Sequence, residues 1–484
     1  MAEKVSNIAR NTSYFTLALI LQKVISLTYF TLYARALGPN DLGQYYFAIS
    51  ITSIFAIFID FGLSNIVTRE VAKRANEAGK YISSVITLKL LFSAATILLL
   101  LGWTNFFGYG QLTRELIYIS AAAMVFDSFT AIFFAALRGF HNLKYESISS
   151  VTVQALVLLL SLVVLRFDLN IRWLMGSLVA GSLYNLCYSA WVARRVFGLR
   201  FRLVWEKAFV KQLLLISLPF AVYSIFQRFY TYFDSVLLFK FAGDGAVGLY
   251  QIPFKIVVAL QFLPMAFTAS LYPALSAYWH NNREQLSVTF ERAINYSLIL
   301  SVPVMIGTIV LAENIVLIFK AGFAEAAFPL QVVMVSLPFM FLGFPVGALL
   351  NACDRQQRNT WNIAITSIAS AALNFYLIPR LGVLGACITN LVTSGLMLVL
   401  GWWVAARITV IRPRVFVIMF ARVFGAGALM GLIVYMVRDA LPTAVAIAIG
   451  AAAYAAALYF LRGFSRADIQ SIVSSLSRAK DKTV

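Results

Sequence analysis

Lys23 and Arg228 are the residues whose type and position most directly suggest chemistry. Each sits near the middle of a long apolar segment, and the two coincide when the chain is laid over itself at an offset of 205 residues, the spacing from Lys23 to Arg228. In that register Gln22-Lys23 falls on Gln227-Arg228, Ser26 on Thr231 and Arg35 on Lys240. Just beyond, Leu37-Gly38-Pro39-Asn40-Asp41-Leu42-Gly43-Gln44-Tyr45 falls on Ala242-Gly243-Asp244-Gly245-Ala246-Val247-Gly248-Leu249-Tyr250. A cation at the centre of a spanning helix costs roughly 2.5–3.5 kcal/mol on insertion scales, so it normally faces a water-filled cavity or a partner. At helical spacing Thr12, Thr16, Lys23 and Ser26 share one face, and Ser224, Arg228, Thr231 and Ser235 share another, which reads as two polar walls of a central cavity. Lys89 and Lys255, also inside apolar segments, could add positive charge. Several fixed cations suit a diphosphate, because arginine grips its oxygens bidentately and lysine supplies a point charge. Two other readings stay open. Each cation could pair internally with Asp60, Asp127 or Asp234, and Lys89 and Lys255 could snorkel to an interface. The same three carboxylates are also candidates for proton or sodium coupling.

The elements that must position these groups are transmembrane helices. The 484 residues are 61% hydrophobic and 12% charged, about half the charged share of a soluble protein. A spanning helix needs about 20 mostly apolar residues, and fourteen such stretches are expected, beginning with 12–36 and 43–68, including long ones at 246–277 and 326–352, and ending with 442–461. The net charge of +19 reports orientation rather than a nucleic-acid partner. With the N-terminus inside, the cytoplasmic segments hold 26 of the 39 Lys and Arg and the outer segments only 8, with six between Arg194 and Lys211 alone. Both termini are therefore expected in the cytoplasm. The first segment has no cleavable signal pattern. Cys187, Cys353 and Cys387 imply no disulfide framework, and the two histidines, His141 and His280, have no metal-ligand spacing around them.

An even number of spans per half puts both halves in one orientation, related by an axis along the membrane normal. The expected organisation is an all-α membrane protein: a six-helix bundle over 1–194, a basic cytoplasmic linker over 195–211, a second six-helix bundle over 212–407, two further spans over 408–464, and an amphipathic cytoplasmic tail over 465–484. A second internal match sets Ala136-Leu137-Arg138-Gly139-Phe140-His141-Asn142-Leu143-Lys144 against Leu350-Asn351-Ala352-Cys353-Asp354-Arg355-Gln356-Gln357-Arg358. Eight prolines, from Pro219 to Pro345, fall in spans seven to ten, so bending is expected there rather than in the first half. No P-loop is present, no loop is large enough to house a catalytic site, and no cofactor is implied.

The run Leu37 to Tyr45, followed by Asp60-Phe61-Gly62-Leu63 and Arg69-Glu70, resembles the polysaccharide-biosynthesis flippases, the O-antigen-type members of the multidrug/oligosaccharidyl-lipid/polysaccharide exporter superfamily. The resemblance implies a V-shaped pair of six-helix bundles in a bacterial or archaeal plasma membrane. It implies a transporter, not an enzyme, that flips an undecaprenyl-diphosphate-linked oligosaccharide from the inner to the outer leaflet for surface polysaccharide such as O-antigen lipopolysaccharide. Membrane lipids, a polysaccharide polymerase and a chain-length regulator are the partners it suggests. The rival readings are a multidrug or small-metabolite exporter of the same superfamily and a non-transporting scaffold of a polysaccharide assembly complex.

Overall fold

The computed structural model describes residues 2–199, 201–409 and 412–461, and among these the regular structure is helical, with no strand. The first half comprises α1 (Ala2–Asp60), α2 (Leu63–Lys73), α3 (Ala78–Phe106), α4 (Gln111–Gly139), α5 (Lys144–Arg166) and α6 (Ile171–Arg195). The second comprises α7 (Lys207–Ala242), α8 (Asp244–Leu260), α9 (Phe262–Asn281), α10 (Arg283–Val310), α11 (Ala312–Leu317), α12 (Ala327–Met334), α13 (Leu337–Ala352), α14 (Gln356–Leu381) and α15 (Val383–Ala405). The pair α16 (Pro413–Val437) and α17 (Thr443–Phe460) closes the described chain. The expected tail over 465–484 lies outside the described residues, as does the side chain of Thr12.

Among the described residues eleven helices are long and apolar enough to cross a membrane, or twelve if the bent pair Ala321–Met334 and Leu337–Ala352, which meet at 43°, is one span. This is a multi-pass membrane protein. The stretch expected as one span at 326–352 is bent in two, with Pro338 at the start of its second piece. The span expected at 246–277 is likewise two helices, interrupted at Gln261. The two segments expected at 12–36 and 43–68 run together as α1, whose helical geometry is interrupted at Gly38, and the second ends earlier, at the turn Phe61-Gly62. The linker is shorter than expected, since α7 already begins at Lys207.

The duplication is written in the backbone. Gly38 (φ 73°, ψ 179°) and Gly243 (φ 83°, ψ 179°) hold the same glycine-favoured conformation at the 205-residue offset. The second internal match is real but off by one. His141 and Asp354 are the left-handed residues of the two turns, and Asn142 N–H to Leu137 C=O is repeated as Arg355 N–H to Leu350 C=O. These place the true offset at 213, where residue identity had paired His141 with Arg355.

Packing divides the molecule along its length. At the end carrying Gly38 and Gly243, a single core draws on both halves, with Tyr33, Tyr45 and Phe47 of α1 beside Leu237, Tyr250, Phe323 and Cys387. At the opposite end there are two cores, one around Leu63, Ile82 and Leu137 that also takes in Val210 and Leu213 of α7, the other around Leu286, Phe290 and Leu349, joined by Val423 and Leu458 of the extra pair. The halves thus share one core at the hairpin end, while at the other end the start of α7 packs into the first half's core and the rest of the second half keeps its own.

Candidate functional site

The matched cations of the two halves each approach the opposite half. Arg228 on α7 extends Nη1 to the backbone carbonyl of Ser53 on α1, at 3.3 Å. Lys23 on α1 lies within electrostatic reach of Lys255 on α8, whose ammonium sits 4.3 Å from the centroid of the Tyr46 ring. The crossed arrangement follows from the packing of α1 against both α7 and α8.

Their surroundings differ. Arg228 and Tyr232 of α7 complete a cavity of about 330 Å³ in the first half, with Thr52, Ser53 and Asp60 of α1, Ser64 of α2, and Ser120 and Asp127 of α4 on its walls. It holds charge of both signs. Asp127 is exposed to the cavity with Ser182 and Arg228 close enough to act on its carboxylate, but has no cation at ion-pairing distance among the described residues. A second chamber of about 360 Å³ adjoins at Asp127, Ala131 and Leu178 and runs to Arg138 and Glu146, which pair at 2.6 Å. Lys23 and Lys255, in contrast, have no carboxylate within ion-pairing distance among the described residues. Two like charges within electrostatic reach of each other and without a counter-ion are stable only where solvent or an anion offsets them.

Lys89 and Asp60 form the tightest polar knot. Lys89 is fully buried, and its ammonium reaches Asp60 Oδ1 at 2.5 Å, the Ser128 carbonyl at 2.8 Å and Ser128 Oγ at 3.1 Å. Ser64 Oγ donates to the same Asp60 oxygen at 2.5 Å. One lysine of α3 thereby ties the end of α1, the start of α2 and the middle of α4. Asp60 and Ser64 line the cavity, and Lys89 stands behind them rather than in it.

In the second half Asp234 is buried and accepts a hydrogen bond from the Tyr250 hydroxyl of α8. Its Oδ1 has no partner, and Cys387 of α15 lies close enough to sense its charge. The polar stripe residues make mostly local bonds. Ser26 Oγ donates to the Tyr29 hydroxyl at 3.3 Å, and Thr231 Oγ1 to the Gln227 carbonyl at 2.8 Å. Gln22 is half-buried and Gln227 exposed. Sequence reasoning missed Tyr46, Tyr232, Ser64 and Ser128, which carry no charge and no spacing signal, and it had no means of joining Lys23 to Lys255.

The chain is 22% identical over 388 residues to "Probable low-salt glycan biosynthesis flippase Agl15" of Haloferax volcanii, covering 79% of this chain and 80% of that one. It is 22% identical over 406 residues to a "Putative O-antigen transporter" of Shigella flexneri, covering 79% and 94%. Its fold is similar to that of a solved lipid II flippase MurJ in an inward closed conformation, with a TM-score of 0.76 at 14% identity over 93% of this chain and 97% of that chain. A MatE family model matches residues 219–379. The polysaccharide biosynthesis protein model matches residues 8–279, more than half of the chain, and to that family the chain belongs.

Proposed function

We propose that the protein flips a lipid-linked oligosaccharide, carried on a polyprenyl diphosphate such as undecaprenyl diphosphate, across the membrane for surface polysaccharide assembly. The observation that carries the reading is the Lys23–Lys255 pair, two cations on opposite halves within electrostatic reach of each other and with no carboxylate at ion-pairing distance among the described residues. A diphosphate offers the offsetting charge, and Arg228, which lines the mixed-charge cavity, would add a bidentate contact on the transport path. Organic cations, the cargo of a multidrug exporter, would be repelled at this place. The relatives' names support a flippase, and the absence of a P-loop points to an ion gradient or the glycan gradient as the energy source. Asp127 and Asp234 are the carboxylates left for ion coupling, since Asp60 is engaged by Lys89.

The test is a Lys23→Gln/Lys255→Gln variant, with Arg228→Ala alongside. Each lost charge-assisted contact costs about 1.5–3 kcal/mol, so binding of polyprenyl diphosphate should weaken roughly tenfold or more per cation. Surface glycan should fall while the amount of protein in the membrane stays normal, because removing a charge eases insertion. Wild-type surface glycan in the Lys23/Lys255 variant at native expression would refute the role.

The same reading sets fourteen crossings, counting α1 as two and including α6, with both termini and the 196–206 linker in the cytoplasm and the Gly38–Gly243 end outside. Reporter fusions after Arg202 and after Arg466 should both score cytoplasmic. A periplasmic signal from either would overturn the topology.

A further inference from the structure

A groove of about 510 Å³ opens on the protein's surface between α3, α7 and the Phe61 turn that follows α1. One face of α7 forms its long wall, with Lys207 and Lys211 followed by Leu214, Leu215 and Leu218 at helical spacing. Both lysines are exposed, and neither has a carboxylate within ion-pairing distance among the described residues. The nearest acid by sequence, Glu206, is taken by Lys80 at 3.1 Å. Phe61 and Phe92 make the floor, edge to face with centroids 6.4 Å apart. From Lys207 to Leu218 the wall runs about 16 Å at the helical rise, about one leaflet of a roughly 30 Å hydrocarbon core.

The basic end is held in place by the linker between the halves. Arg202 N–H donates to Ser83 Oγ at 3.2 Å and Val204 N–H to Thr87 Oγ1 at 3.1 Å. Two residues of extended chain thus match one turn of α3, roughly 6 Å in each case. This strap sets Trp205 at the mouth of the groove next to the lysines.

We infer that the groove is a binding site for one anionic glycerophospholipid, its phosphate on Lys207 and Lys211 and an acyl chain along Leu214, Leu215 and Leu218 over Phe61 and Phe92. Charge decides the occupant. The mouth is doubly positive and the rest is apolar, so a zwitterionic lipid gains less there. The chain's own 462–484 segment, with Arg466, Arg478, Lys480 and Lys482, brings charge of the same sign. The site is independent of what the cavity transports, and its floor, Phe61, adjoins Asp60 in the knot that joins α1 to α2.

Trp205 supplies the probe. The full chain is reconstituted in phosphatidylcholine nanodiscs doped with brominated phosphatidylglycerol or brominated phosphatidylcholine, and quenching of the component absent from Trp205→Phe is measured. One basic residue at a membrane surface attracts anionic lipid by about fivefold, so phosphatidylglycerol should quench at roughly 25-fold lower mole fraction. Lys207→Gln/Lys211→Gln should bring the two lipids within about twofold of each other. Equal quenching of the wild type by both lipids would mean an ordinary lipid shell and would overturn the site. So would a preference that survives the double substitution, or quenching that emerges only when 462–484 is removed.

Discussion

Replacing Gly43 or Gly248 with alanine is expected to force the two hairpins apart and stop export. A Cβ at Gly43 would stand 1.8 Å from the Asp244 carbonyl oxygen, and one at Gly248 would stand 1.9 Å from that of Pro39. The contacts are reciprocal across the duplication, each glycine meeting the opposite half's hairpin. Neither obstacle is a side chain that can rotate away. The backbones that would have to move are set by Gly38 and Gly243, and Gln44 Nε2 binds Asp244 Oδ2 at 2.6 Å within the same seam. Overpacking of this kind costs typically 1–3 kcal/mol per site, and about 5.5 kcal/mol takes a two-state equilibrium from 99:1 to 1:99. Each single variant should therefore shift the population measurably away from the closed hairpin end, and the double variant should go further. Spin labels on the exposed Ala36 and Ala242 report the separation. Longer distances with surface glycan lost are the expected outcome. A wild-type distance distribution in the double variant would show that the seam closes without its glycines and would end the argument.

Asp60→Asn should destabilise the fold more than Lys89→Met does. Removing one member of a buried ion pair costs about 3–5 kcal/mol, because the remaining charge stays buried without its partner. Here the partners are unequal, since the Lys89 side chain is 0% exposed and that of Asp60 is 28% exposed at the cavity. Losing Asp60 strands an ammonium that water cannot reach. Losing Lys89 leaves a carboxylate that still has Ser64 and cavity water. The Asp60→Asn/Lys89→Met double variant should recover much of the loss, with the methionine filling the space of the lysine stem. Melting followed by size-exclusion chromatography in detergent reads all three, with Arg228→Gln as a comparator near the wild type. A melting temperature unchanged by Asp60→Asn would mean that the pair does not hold α1, α2 and α4 together.

The class of fold, the duplication and the membrane character were legible because they are local or compositional. Apolar runs of helical length declare spans wherever they occur, and the turns at Gly38 and Gly243 keep the same glycine-favoured backbone in both copies. Breaks were less visible. Pro338 marks the bend between α12 and α13, and Pro264, which cannot donate to the Leu260 carbonyl, marks the interruption at Gln261, but hydropathy alone merged α8 with α9.

Side-chain destinations were the part that the sequence left undetermined. It placed Lys23 and Arg228 at one depth in equivalent helices, and by that alone they read as two walls of one cavity. The tertiary structure sends them to different places: Arg228 to Ser53 and the mixed-charge cavity of the first half, Lys23 to Lys255 and Tyr46. Lys89 and Asp60, each ambiguous by itself, became partners only when α3 was laid beside the end of α1. Helical periodicity assigns a residue to a face and a depth, because it is a property of one helix. Which charge meets which depends on how helices far apart in the chain cross, and that is decided by packing over the whole molecule.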